Sequence, residues 1–268
     1  MGHGRDLAPC ARRCQEPRLD AARPAREGRG IARRSIQERL ARLDWEAIAR
    51  SLDERGCATT PALLDAGECT ALGRLWADER RFRSRIDMAR LRFGVGEYKY
   101  FAAPLPPLVA TLRAHLYRHL APIANRWMDA MDVAERFPPD LGAYLARCAA
   151  HGQTRPTPLL LRYTAGGYNC LHQDLYGALA FPLQLTCVLG RRGRDYAGGE
   201  LLLVEQRPRA QSRAEVVVLE RGEAVIFPNR HRPVAGARGT YRVTVRHGVS
   251  RVTAGERLSL GIIFHDAE

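Results

Sequence analysis

At 268 residues the chain can bury one substantial core with room for an added helical layer or an N-terminal extension. It carries 42 lysines and arginines against 29 acids, a formal charge of +13 that would favour an anionic partner. The cations are nearly all arginine, spread along the whole chain with Lys99 the one lysine, which reads as compositional bias rather than a built nucleic-acid groove, and no stretch is apolar enough to span a bilayer. Seven cysteines at irregular spacings, with no apolar leader ahead of them, point to a reduced, cytoplasmic protein. Cys10 and Cys14 fall in the first thirty residues, while Cys170 and Cys187 read as small buried hydrophobes on strands.

Residues 1–30 are rich in Arg, Ala, Pro and Gly without apolar periodicity and are expected to form a disordered Arg-rich arm. Residues 31–268 read as a single α+β domain. Within it, 31–157 is mainly helical support and 158–268 is β. Leu40, Leu43, Ile48 and Leu52 recur at near-helical spacing and predict a first helical element ending at Gly56. A short strand, a turn and a helix carrying Leu72, Leu75 and Trp76 follow. "IDMARLRFGVGEYKYF" is strand and turn, and "LVATLRAHLYRHLAPIANRWMDAM" is a long amphipathic helix broken or bent at Pro122. His115 and His119 stand four apart on that helix, but with Arg113 and Arg118 beside them and no acid between them they are set aside as a metal pair. Beyond Pro158, short apolar runs alternate with Gly, Pro, Asp and Arg, the texture of a sandwich or jelly roll.

The chemistry concentrates in "GGYNCLHQDLYG", residues 166–177. Strand side chains alternate, so His172 and Asp174 project together while Gln173 points away. A second histidine from a distant strand would complete a two-histidine, one-carboxylate set of the type that holds non-haem Fe(II) with three positions open. His247 and His231 both lie in the β region. His247 precedes Arg257 by ten residues, and a turn at Ala254–Gly255 would bring the two onto adjacent antiparallel strands. Arg257 and Ser259, two apart on a final strand, would face the same way and could clamp a carboxylate. His231 offers Arg238, Arg242 and Arg246 instead, with Thr244 two beyond Arg242, but Gly236 and Gly239 suggest a looser turn there. Gly198 and Gly199 read as turn formers.

The order "Y…GGY…HQD…YAGGELLL…GEAVIF…HGVSRVTAGERLSL" resembles the 2-oxoglutarate- and Fe(II)-dependent dioxygenases, in the prolyl-4-hydroxylase-like branch, over about residues 159–265. The resemblance implies a double-stranded β-helix (jelly roll) core with an N-terminal helical layer. It implies Fe(II) held by His172, Asp174 and His247, and 2-oxoglutarate held by Arg257 and Ser259 with Tyr163 beside it. In relatives the distal histidine closely follows the "GxAxxF" strand, as His231 does here, so residues 232–246 would form a hairpin inserted ahead of His247. The activity implied is hydroxylation of a protein side chain or small molecule by O2, with release of succinate and CO2. The alternatives are oxidative demethylation of alkylated nucleic acid and an inactive jelly-roll binding module. Asn169, Gln173, Tyr176 and Arg246 flank the expected centre as candidates for substrate contact.

Overall fold

The computed structural model describes residues 34–237 and 239–268; the arm expected over residues 1–30 lies outside them, with Cys10, Cys14 and Arg238. The first helical element is two helices, not one. Ser35 and Glu38 form a capping box on α1 (Ile36–Ala41), and the Asp44 carboxylate accepts from the Ala47 amide to start α2 (Trp45–Arg55), so a cap interrupts the apolar periodicity. Gly56 ends α2 in the left-handed conformation, φ 80°. The short strand β1 (Ala58–Thr60) leads to α3 (Ala66–Arg74), then to β2 (Phe82–Asp87), β3 (Gly94–Val95) and β4 (Glu97–Phe101). The long helix α4 (Pro107–Ala130) runs unbroken through Pro122, which sits on its solvent face, where water can satisfy the carbonyl that the missing amide leaves free. A further helix, α5 (Leu141–Ala150), capped by Asp140, has too short an apolar face to stand out in the sequence.

The rest is β: β5 (Leu159–Thr164), β6 (Tyr168–His172), β7 (Leu183–Val188), β8 (Tyr196–Gly198), β9 (Leu201–Gln206), β10 (Arg213–Val217), β11 (Ala224–Pro228), β12 (His231–Gly236), β13 (Gly239–Val249) and β14 (Val252–Ile263). The larger sheet has the order β1-β11-β7-β14-β5-β4-β2, with β8 on β14. The smaller has the order β10-β9-β13-β6-β3, with β12 on β13. All pairings are antiparallel. The half read as helical support thus supplies three strands of the larger sheet, β1 at one edge and β4 and β2 at the other, and β3 of the smaller.

Alternation along β14 shows how the layers assemble. Leu258, Leu260 and Ile262 turn outward and pack with Leu112, Leu116, Leu120 and Trp127 of α4, whereas Arg257, Ser259 and Ile263 turn into the space between the sheets. The inner core gathers Tyr163, Val188, Leu201, Leu203, Phe227 and Val249 from both sheets. One end of this interior is polar, and it holds the site.

Two expectations about turns are corrected. Gly236 lies opposite Gly239, so β12 and β13 form a tight hairpin, the insertion ahead of His247, rather than a loose turn. Ala254 and Gly255 are not a turn. They lie inside β14, Gly255 at φ 72° against the Asp195 backbone, and β13 and β14 belong to different sheets. His247 and Arg257 therefore face each other across the barrel instead of along one ladder.

Candidate metal centre and co-substrate pocket

His172 closes β6, and its partner across the ladder is His247 of β13. The register slips between His247 and Val249, which pairs with Asn169, so three steps along β6 match two along β13. That bulge turns Asn169 and His172 to the same cavity despite their odd separation. It also leaves Cys170 exposed, contrary to the buried position expected for it; Cys187 is buried.

Ligand-capable atoms of His172, Asp174 and His247 lie within 4.8 Å of one another. His247 Nε2 is 3.1 Å from Asp174 Oδ2, and His172 Nε2 is 3.6 Å from Oδ1. The His172 Nδ1–H donates to the Cys170 carbonyl at 2.8 Å, which fixes the tautomer and leaves Nε2 with its lone pair toward the cavity. Burial and the adjacent His247 hold the His172 pKa below its ordinary value, so the ring is neutral and able to bind a metal near pH 7. Burial alone would raise the Asp174 pKa. The two histidines and the Tyr176 hydroxyl, which donates to Oδ1 at 2.6 Å, reverse this and hold the carboxyl well below the usual range. Three nitrogen and oxygen donors converging from one side, with a cavity on the other, fit a divalent first-row metal with open positions.

The cavity, about 200 Å³, continues from the triad to Arg257 and Ser259 on β14. Both are fully buried, and Arg257 Nη1 donates to Ser259 Oγ at 3.1 Å. Arg257 Nε and the Tyr163 hydroxyl are buried with no hydrogen-bond partner. Tyr163 lies opposite Arg257 on β5, its ring 5.9 Å from the guanidinium carbon. A buried, incompletely partnered guanidinium beside two hydroxyls fits the distal carboxylate of a keto diacid. Gly199 has more than a turn to make: at φ 69° it lies against Arg257, whose Cδ would be 2.7 Å from any Cβ added there.

Sequence reasoning missed the aromatic wall. Tyr98 and Tyr100 of β4 line the cavity with Tyr176 and Phe93, the Tyr100 ring edge-on to both other tyrosines. The period-two spacing in "EYKYF" was the available signal. Phe227 packs 4.9 Å from the His247 ring, and Gln184 reaches toward His247 Nε2 at 3.5 Å. His231, Arg242, Thr244 and Arg246 do not line the cavity. His231 pairs with Thr244 on the β12–β13 hairpin, its Nδ1 3.3 Å from the Val243 carbonyl. His119 is accounted for by stacking on Trp45, 4.3 Å between centroids.

Residues 96–267 match the family model Oxygenase-NA, described as "Oxygenase, catalysing oxidative methylation of damaged DNA". The chain belongs to this family. An uncharacterized protein of Mycobacterium tuberculosis is 47% identical over 167 residues, which are 62% of this chain and 72% of that protein. Among solved structures, a Pseudomonas putida prolyl-4-hydroxylase is similar at TM-score 0.51 and 15% identity, over 84% of this chain and 99% of that one. A 2-oxoglutarate-Fe(II) oxygenase family oxidoreductase from Burkholderia pseudomallei is similar at TM-score 0.50 and 17% identity, over 84% and 93%. These likenesses are of fold: the jelly roll of the prolyl-4-hydroxylase-like oxygenases. Fe(II) is the family's cofactor, with 2-oxoglutarate and O2 as co-substrates. No helix among the described residues is long and apolar enough to cross a membrane.

Proposed function

We propose that this oxygenase removes an alkyl group oxidatively from a damaged nucleobase. The observation that carries the reading is that the region matching a family described as acting on damaged DNA, residues 96–267, contains the whole triad and the buried Arg257–Ser259 pair. In this reading an N-methyl group, O2 and 2-oxoglutarate give an N-hydroxymethyl group, succinate and CO2. The N-hydroxymethyl group then releases formaldehyde and leaves N–H, so the net change is loss of the methyl.

His172, Asp174 and His247 would hold Fe(II), which when bound supplies the reduction of O2 coupled to loss of CO2 from the keto acid. Asp174 offsets part of the metal's charge, and Tyr176 holds the oxygen of Asp174 nearer His172. Arg257 and Ser259 bind the far carboxylate of 2-oxoglutarate, with Tyr163 closing the site over it. The aromatic wall excludes water from the reacting face. The test is turnover of an N-methylated single-stranded oligonucleotide with Fe(II) and 2-oxoglutarate, reading formaldehyde and succinate. Equal yields of both are expected. Succinate driven by a peptide or metabolite, with no formaldehyde from the oligonucleotide, would overturn the nucleobase reading in favour of a side-chain or small-molecule substrate.

A further inference from the structure

Seven large apolar side chains are exposed among the described residues; five of them, Leu91, Phe93, Val95, Leu171 and Leu175, lie from the β2–β3 connection into β3 and around the end of β6, and Phe93 lines the cavity. Leu91 and Phe93 alternate with Arg90 and Arg92 in the turn that joins β2 to β3, and Val95 lies on β3 itself. That turn is built into the fold. Buried Met88 anchors it, accepting from the Leu91 and Phe93 amides, and the Cys170 amide donates to the Phe93 carbonyl, which ties the turn to β6 beside the triad. Arg92 holds a left-handed backbone, φ 60°, a conformation a non-glycine residue adopts only where its surroundings impose it.

Charge decides what such a rim suits. Residues 88–96 contain no acid, and residues 165–182 contain one, Asp174, which is buried in the triad. Arg92 makes no ion pair among the described residues, Arg90 reaches Asp87 only at 3.5 Å from an exposed position, and Arg251 lies over the Tyr168 ring on the neighbouring edge. An apolar patch would suit many partners, but one interleaved with two arginines, whose flanking carboxylates Asp87 and Glu97 are each paired with arginine, suits a chain that offers flat apolar faces and regular negative charge. The cavity volume points the same way. A keto diacid reaching from the triad to Arg257 takes up its inner part, so only the reacting edge of a substrate enters and the remainder lies on the rim.

We infer that the rim formed by the β2–β3 turn and the β6–β7 segment is a stacking platform for single-stranded nucleic acid, with bases on Phe93, Leu91 and Leu171 and phosphates at Arg90 and Arg92. This deepens the nucleobase reading and rests on it for the reaction, but its test does not depend on turnover. Metal-free, full-length protein is titrated with a fluorescent, unmodified single-stranded oligonucleotide over a range of salt concentrations. In Leu91→Ser/Leu171→Ser, affinity falls about tenfold with an unchanged salt slope, as expected for lost apolar contact with the base faces. In Arg90→Ser/Arg92→Gly, affinity falls and the log–log salt slope drops by about 1 to 2. Glycine at position 92 accepts the left-handed backbone, so a loss there is not misfolding, and 2-oxoglutarate binding by the Fe(II)-loaded variants checks that the cavity is intact. Wild-type affinity in both variants, or equal displacement of the strand by polyglutamate, overturns the platform. Oligonucleotide binding that responds to the variants, with no formaldehyde from any methylated strand, leaves the platform standing and removes the demethylase reading instead.

Discussion

At the scale of single residues the centre depends on groups that hold the ligands as much as on the ligands themselves. The Tyr176 hydroxyl fixes one Asp174 oxygen at 2.6 Å and leaves the other beside His247. Tyr176→Phe keeps the ring and removes that hydrogen bond, so Fe(II) affinity in an anaerobic titration should weaken about 10- to 100-fold, as for other groups that orient metal ligands. An unchanged affinity would show the hydroxyl to be idle. Arg257→Leu removes the buried cation from the far end of the cavity and should weaken 2-oxoglutarate by about 3 to 5 kcal/mol while Fe(II) affinity hardly moves. The charge-transfer absorption of the ternary complex reports both quantities. The two candidate histidines separate in the same titration: His247→Ala should lose iron, and His231→Ala, altering a residue on the β12–β13 hairpin, should retain it.

At the scale of elements, β14 carries the contrast between what a local pattern reveals and what it conceals. Its alternation was legible, with leucines to the helices and Arg257 and Ser259 to the interior. Its partners were not. The reading that joined His247 to Arg257 through a turn at Ala254–Gly255 mistook a left-handed glycine inside a strand for the end of one. The β8–β9 connection makes a related prediction. Gly199 packs on the Arg257 stem at positive φ, so Gly199→Ala must displace the guanidinium or strain the backbone. Weaker 2-oxoglutarate binding is expected, with a stability loss of about 1 to 2 kcal/mol in denaturant unfolding. Full co-substrate affinity in this variant would mean that the stem has room to move aside.

At the scale of the whole molecule, the helices and the C-terminal segment seal the larger sheet on the side away from the cavity, and a buried histidine records that seal. His265 is fully buried, accepts from the Phe181 amide at Nδ1, and has no partner for Nε2. Burial, with nearby Arg113, pushes its pKa down to about 4. The folded-state value lies below the unfolded one near 6.5, so the unfolded chain takes up the proton first. The neutral ring's contribution is fully present above about pH 6.5 and is lost as pH falls toward 4, on the order of 3 kcal/mol over that window. Denaturant unfolding at pH 7, 5.5 and 4.5 should show this decline, and His265→Asn should flatten it. A wild-type slope in the variant would assign the acid sensitivity to other groups.

The sequence by itself determined what is local: the stop at Gly56, the two faces of the final strand, and the nearness of His172 to Asp174, although Asp174 lies past the end of β6 and Gln173, expected to point away, lines the cavity with them. These follow from side-chain periodicity and from hydrogen bonds a few residues long, which any reader of the chain can count. Only the tertiary structure decided that β13 is the strand beside β6, which puts His247 rather than His231 against His172, and that β4 from the opposite half of the chain supplies Tyr98 and Tyr100. Strand neighbours are chosen by burying whole faces against distant segments, and β6 carries no residue that names its partner. The free energy that selects the pairing belongs to the packed sheets together, so it cannot be read from either strand alone.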